Sequence, residues 1–199
     1  MSAGEMSGLS SGSGAHRIKR AFDLALSLPG LAVAAPVIAA MGLLIRLTSK
    51  GPAIYSQMRV GRGGRPFRCY KLRTMRADTP SVPTHEAQKT AITGVGRFLR
   101  RTKLDELPQL WNVAKGDMSL VGPRPCLTTQ DELIAHRERL GVFSSRPGIT
   151  GLAQLRGIDM SRPALCAQTD AEYLANWTLA GDVAIIIRTA IPAFGRSRL

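Results

Sequence analysis

Two acidic residues stand side by side at Asp105 and Glu106, in the run Lys103-Leu104-Asp105-Glu106-Leu107-Pro108. Adjacent carboxylates can divide a reaction between them, one attacking an electrophile while the other holds a metal ion. Pro108 sets their local geometry. Proline is tolerated in an α-helix only in its first turn, so the spacing predicts a helix starting near Pro108, with Asp105 at or beside its N-cap and Glu106 just inside. Neighbouring side chains on a helix point about 100° apart, which favours two separate tasks over clamping one atom. Most such pairs only cap backbone N–H groups and complement the helix dipole. Chemistry is favoured here by Arg97, Arg100, Arg101 and Lys103, which put the pair in a positive field, and by the affinity of helix N-termini for phosphate.

The rest of the composition points to an anionic partner. The chain has 199 residues and a formal net charge of +13. Residues 17–76 carry twelve Lys/Arg against a single acid, Asp23. Nucleic acid, acidic lipid and a phosphorylated substrate all fit such a block. The three cysteines (Cys69, Cys126, Cys166) and three histidines (His16, His85, His136) are scattered, which argues against a disulfide framework and a zinc site.

The elements that must position the acidic pair follow from the pattern. Residues 1–15 are rich in Gly and Ser and are expected to be a disordered leader or a remnant of expression. From Leu24 to Ile45 there is no charged residue; as a straight helix this stretch is about 33 Å long, enough for a bilayer core of about 30 Å. A signal peptide and a buried core helix are weaker readings of it, because the run is long and passes the Ala32-Val33-Ala34 cleavage-like site. Basic residues flank both ends: Arg17, Lys19 and Arg20 before, Arg46 and Lys50 after. The positive-inside rule places both flanks in the cytoplasm. Pro29 and Pro36, nearly two turns apart, would bend the helix twice toward one side. The predicted element over residues 16–48 is therefore a re-entrant helix–break–helix, with Ser27 available to serve the backbone at Pro29.

Residues 49–199 read as a small α+β, mainly helical domain on the cytoplasmic side, catalytic if the acidic pair does chemistry. Short strands are predicted at Ile54-Tyr55 and Phe67–Leu72 around a Gly61–Gly64 turn. Residues 77–95 read as a polar loop with a short helix, residues 96–117 as a helix pair stopped at Gly116, and residues 129–140 and 170–177 as helices. An amphipathic helix from Asp182 into the C-terminal region, with Trp177, suits a membrane interface as well as ordinary core packing.

Several longer motifs then occur in one order: KRAFD (19–23), the proline-containing apolar run, SKGPAIYSQMRVGRGGRPF (49–67), YKLRTM (70–75), KLDELPQLWNVAKGDMSLVGPRP (103–125) and RPGITGLAQ (146–154). In these the chain resembles the bacterial sugar transferases, the monotopic phosphoglycosyl transferases, over nearly its whole length. The resemblance implies transfer of a phosphosugar from a UDP-sugar to a polyprenyl (undecaprenyl) phosphate with release of UMP, as the first membrane step in building a surface glycan such as lipopolysaccharide. It implies Asp105 as nucleophile and Glu106 as a ligand of Mg²⁺. Arg124 and Arg146 are candidate phosphate ligands, with Lys71 and Arg73 weaker ones. The implied location is the cytoplasmic face of the bacterial inner membrane, the partners its lipids and substrates, with no nucleic acid; a homodimer is left open.

Two positions depart from the family pattern. Ala35-Pro36 stands where many members have Ser-Pro. Leu155-Arg156-Gly157-Ile158 stands where many have Asn-Gly-Arg, so that Arg156 is the candidate to replace the arginine absent at Ile158 in binding the sugar nucleotide. No multi-span region precedes Lys19, as expected of the minimal catalytic form or a truncation to it. A nucleic-acid-binding protein would account for the charge but gives the 22-residue uncharged run no role. A membrane-anchored scaffold would account for the run but gives the acidic pair none.

Overall fold

A computed structural model describes residues 3–76, 79 and 91–191, with side chains from residue 14 onward. The chain opens with helix α1 (Ala3–Thr48), followed by the antiparallel pair β1 (Ile54–Val60) and β2 (Pro66–Leu72). Helix α2 (Gly94–Thr102) leads into a 3-10 turn (Leu104–Glu106) and then α3 (Gln109–Lys115). Strand β3 (Ser119–Val121) pairs in parallel with β4 (Gly148–Thr150) across α4 (Asp131–Arg139). Helices α5 (Leu152–Leu155), α6 (Pro163–Ala175) and α7 (Leu179–Ala190) complete a mainly helical α+β fold. The polar loop expected at 77–95 lies mostly outside the described residues, as does the end of the C-terminal amphipathic helix beyond 191.

Among the described residues α1 is the one helix long and apolar enough to cross a membrane. It runs unbroken through Pro29 and Pro36, where the sequence predicts helix–break–helix. Asp23, Ser27, Ala34 and Ile45 are buried, and Ile38 and Met41 are packed into a core cluster. These positions recur at helical spacing and form one stripe spanning both prolines. Packing along that stripe holds the helix together where each proline removes one backbone bond. Ser27 does not serve Pro29: its hydroxyl is buried without a hydrogen-bond partner among the described residues. The helix also extends back to Ala3, through the stretch expected to be a leader; lengthening an existing helix costs far less than nucleating one. Away from the stripe, Leu28, Val33, Leu43 and Leu47 lie more than half exposed.

The KRAFD motif fastens the start of the apolar stretch to the domain. Lys19 Nζ lies 2.5 Å from the fully buried Asp182 of α7, which also accepts from Tyr173 Oη at 2.6 Å and Trp177 Nε1 at 3.0 Å. Arg20 caps α3 by donating to the carbonyls of Val113 and Ala114 at 2.6 and 2.8 Å. Asp23 accepts from Ser119 Oγ and Leu120 N at 3.0 and 2.9 Å. At the other end, Ile45 packs with Leu72 of β2 and Leu99 of α2, joined by Leu104.

The β1–β2 hairpin turns through Gly63 and Gly64, both at positive φ, a conformation glycine adopts without steric cost. Alternation along β2 puts Phe67, Cys69 and Lys71 on one face and Leu72 on the other. Asn112 then locks α3 to this strand. Its Nδ2 donates to Arg68 O at 2.7 Å and its Oδ1 accepts from Tyr70 N at 3.1 Å, and the residue is fully buried. Asn112→Ala leaves both backbone groups without their partner and is expected to cost about 2–4 kcal/mol. Denaturant unfolding of the detergent-solubilised protein measures this; a loss below about 1 kcal/mol would show that α3 is held by other contacts.

Candidate active site

Asp105 and Glu106 lie on a turn of their own. Lys103 closes α2 at φ 61°, the one non-glycine residue at positive φ among the described residues. The chain then makes the 3-10 turn Leu104–Glu106, closed by Glu106 N to Lys103 O at 3.1 Å and Leu107 N to Leu104 O at 3.3 Å. Pro108 occupies the cap position of α3. The expectation of Asp105 at or beside the α3 N-cap with Glu106 just inside is thereby corrected: the left-handed residue at 103 and the tighter turn place Asp105 three residues and Glu106 two residues before the cap residue Pro108. A 3-10 turn has three residues per turn, so the two side chains diverge by about 120°. Their backbone is seated by Leu104, which packs against the core cluster formed by Ile45 of α1, Leu72 of β2 and Leu99 of α2.

The two carboxylates meet opposite surroundings. Glu106 Oε1 accepts from Lys71 Nζ at 2.9 Å and from Arg124 at 2.7 Å. Burial alone would raise its carboxyl, but Arg124 and Lys71 together hold it well below the ordinary carboxylate range. Asp105 is 8% exposed and makes no hydrogen bond among the described residues. Its carboxyl is pushed up by burial first and by the negative Glu106 second, against the pull of Lys71, Arg100 and Arg124. Neighbouring acids driven apart in this way suit different roles. Glu106 is an anion clamped by two cations, whereas Asp105 is held only in their longer-range field, with no hydrogen-bond partner of its own among the described residues.

A divalent cation fits this donor set. Among the described residues no cluster of three His, Cys, Asp or Glu could hold a metal, which argues against a closed protein cage. Mg²⁺ instead uses one or two carboxylates and completes its shell with water and substrate phosphate. Lys71 and Arg124 both sit on Oε1 of Glu106, which leaves Oε2 of that carboxylate as a donor.

Of the basic residues singled out from the sequence, Lys71 and Arg124 come to the acidic pair. The other three are engaged elsewhere. Arg73 is buried and donates to the carbonyls of Lys50 and Ser49 at 2.7 and 2.9 Å and to Ser49 Oγ at 2.8 Å, so it ties the end of α1 to β2. Arg146 donates Nε to Gly116 O at 2.8 Å, beyond the far end of α3. Arg156 forms an exposed two-point pair with Glu172 at 2.5 and 2.6 Å, while Ile158 packs against the core cluster around Leu133 and Cys166. Arg100 is the member of the preceding basic group whose field reaches Asp105; its Nε is oriented by Thr74 Oγ1 at 2.9 Å. Its position five residues before Asp105 was visible, but nothing in the spacing separates it from exposed Arg97 and Arg101.

The site is thus an acidic pair with one buried member and one clamped by two cations. Residues 14–196 match the bacterial sugar transferase family, and the chain belongs to it. It is 42% identical over 182 residues to the UDP-glucose:undecaprenyl-phosphate glucose-1-phosphate transferase of Caulobacter vibrioides, covering 86% of this chain and 67% of that protein. It is 41% identical over 192 residues to the undecaprenyl-phosphate galactose phosphotransferase of Salmonella typhimurium, covering 87% of this chain and 40% of that one. The exopolysaccharide production protein PSS of Rhizobium leguminosarum bv. phaseoli is 38% identical over 197 residues, 91% of this chain and 97% of the relative.

The opposed environments predict opposed effects on stability. The fold raises the Asp105 carboxyl above its unfolded value, so its ionised form works against folding at neutral pH. Asp105→Asn is expected to raise Tm at pH 7, and the gain should fade as pH falls below the ordinary carboxylate range, where Asp105 is protonated folded or not. Glu106→Gln leaves Lys71 and Arg124 unpaired and should cost on the order of 2 kcal/mol at pH 7. Differential scanning measurements across pH check both signs; an Asp105→Asn protein less stable than wild type at pH 7 contradicts this account.

Proposed function

We propose that this sugar transferase moves a phosphosugar from a UDP-sugar to undecaprenyl phosphate, releasing UMP, through a covalent intermediate on Asp105. The observation that carries this reading is the contrast within the pair: a buried, unpartnered Asp105 next to a Glu106 clamped by Lys71 and Arg124. The relatives named for undecaprenyl-phosphate sugar transfer support the same acceptor.

An oxygen of Asp105 attacks the sugar-bearing phosphorus, and the bond from that phosphorus to the bridging oxygen breaks. UMP departs with that electron pair, and an acyl phosphate remains on Asp105. An oxygen of the lipid phosphate then attacks the same phosphorus, the acyl–phosphate bond breaks, and Asp105 returns as a carboxylate. Two anionic substrates thus use one site in turn. Lys71 and Arg124, besides fixing Glu106, supply positive charge beside the transferring group. Glu106 would hold Mg²⁺ together with the substrate diphosphate, and the ion, when bound, neutralises phosphate charge that would otherwise repel the attacking carboxylate.

The attachment of α1 supports a one-sided membrane location. Asp23 and Ile45 are 1% and 2% exposed, lie about 33 Å apart along a straight helix, and are both buried by the same domain. A helix crossing the bilayer would have to leave that domain behind at one end. We read α1 as embedding its uncovered face, with Leu28, Val33, Leu43 and Leu47, in one leaflet while both flanks stay at the cytoplasmic surface. On this reading the acidic pair, which follows Leu104 in the cluster containing Ile45 of α1, lies at the level of a lipid phosphate.

Purified protein with Mg²⁺, undecaprenyl phosphate and a panel of UDP-sugars is expected to release UMP with at least one sugar. Asp105→Asn should lower the rate by about 10³-fold or more while the protein stays folded. Substantial turnover by that variant would exclude the covalent route. For topology, the native cysteines among the described residues are all buried, so single cysteines introduced as Gly14→Cys and Arg65→Cys can be labelled selectively. Both should react with an impermeant maleimide in inverted vesicles and neither in intact spheroplasts. Labelling of position 14 from the periplasm would overturn the one-sided placement.

A further inference from the structure

Arg124 sits in the segment Gly122-Pro123-Arg124-Pro125-Cys126, whose prolines cannot donate backbone hydrogen bonds. The segment is held instead through its carbonyls, each by a different donor. Pro123 O accepts from Gly148 N at 2.9 Å and Cys126 O from Val60 N at 2.9 Å. Pro125 O accepts from Arg59 at 3.0 Å. Arg124 O accepts from Arg137 NH1 at 2.8 Å.

Arg137 differs from the other donors in its surroundings. It lies on α4 and is 1% exposed. Its Nε and NH2 both donate to Asp170 Oδ2 on α6, at 3.0 and 2.7 Å, and Asp170 is itself 3% exposed. Such a pair is a poor source of stability, because desolvating both ions offsets most of their attraction and an apolar pair of similar volume often serves as well. What an apolar pair cannot do is donate to the Arg124 carbonyl. The fork of the guanidinium does both at once: one edge is spent on Asp170 and the remaining nitrogen is aimed at the active-site segment. Lysine, with a single nitrogen, could not span both partners in this arrangement.

We propose that Arg137, oriented by Asp170, is a positioning residue for the transfer reaction: it fixes the backbone at Arg124 so that the Arg124 side chain reaches Glu106. The chain of contact runs from Asp170 to Arg137, to the Arg124 carbonyl, and through the Arg124 guanidinium to Glu106 Oε1 at 2.7 Å. Neither Arg137 nor Asp170 has a contact with the acidic pair among the described residues. The inference rests on the transfer reaction proposed above.

The test separates activity from stability. UMP release by the wild-type protein is established first; its absence would be a failure of the functional reading, not of this one. Arg137→Met combined with Asp170→Leu removes the carbonyl donor without stranding a buried charge. It is expected to keep or raise Tm while kcat falls by about 10-fold or more, since displacements near 1 Å at a positioned group can cost about 100-fold. Asp170→Asn keeps the donor but weakens the pair; it should lower Tm and leave kcat within about 3-fold of wild type. If the double variant does not fold, Arg137→Lys replaces it, retaining a cation opposite Asp170 and losing kcat to the same extent. Wild-type kcat in the double variant, or in Arg137→Lys where that is used, overturns the proposal. So does loss of kcat that follows Tm across the variants, the behaviour of a purely structural ion pair.

Discussion

A negative charge held nearly out of water at Glu106 is the constraint around which this protein is organised. Such a charge persists only if cations are brought to it in fixed positions. Lys71 arrives from β2 and Arg124 from the loop after β3, and both meet the same oxygen. Neither position can drift without stranding the anion, so the elements carrying them are fixed in turn. Asn112 holds β2 against α3, the 122–126 loop is bound at four successive carbonyls, and Leu104 keys the intervening turn into the contact of α1 with β2 and α2. Asp105, next in the chain, is left without such support, and that inequality between neighbours is what the site has to offer chemically.

The apolar helix is integral to this arrangement. It is bolted at its start through Lys19, Arg20 and Asp23 and packed at its end through Ile45. The polar bolts are buried where they meet the domain, while the opposite face of the helix is apolar and uncovered. One surface of α1 thus belongs to the core while the other is left apolar and exposed, a division in keeping with its uncharged sequence.

Much of this was legible before the structure. The hairpin around Gly63 and Gly64, the short helices flanking the acidic pair and the uncharged run all follow from local pattern, because each is decided by residues close in sequence. The site was legible only in part. Lys71 and Arg124 were indistinguishable in type from Arg73, Arg146 and Arg156, and what separates them is long-range placement: Arg73 turns to the end of α1, Arg146 to the end of α3, and Arg156 to Glu172. The continuity of α1 through two prolines was missed for a similar reason. Proline's local cost is visible in the sequence, but the tertiary stripe that outweighs it is not. The Arg137–Asp170 pair was silent altogether, since two charged residues 33 positions apart announce nothing until α4 and α6 come together.

The side chain of Asn112 has a further consequence. By accepting from Tyr70 N and donating to Arg68 O, it presents to β2 the same pair of groups that a neighbouring strand would. A two-stranded ribbon ordinarily leaves its outer edges open, and an open edge invites pairing with another chain. One buried amide therefore closes the β2 edge at this point, where those two backbone groups would otherwise be open to a further strand.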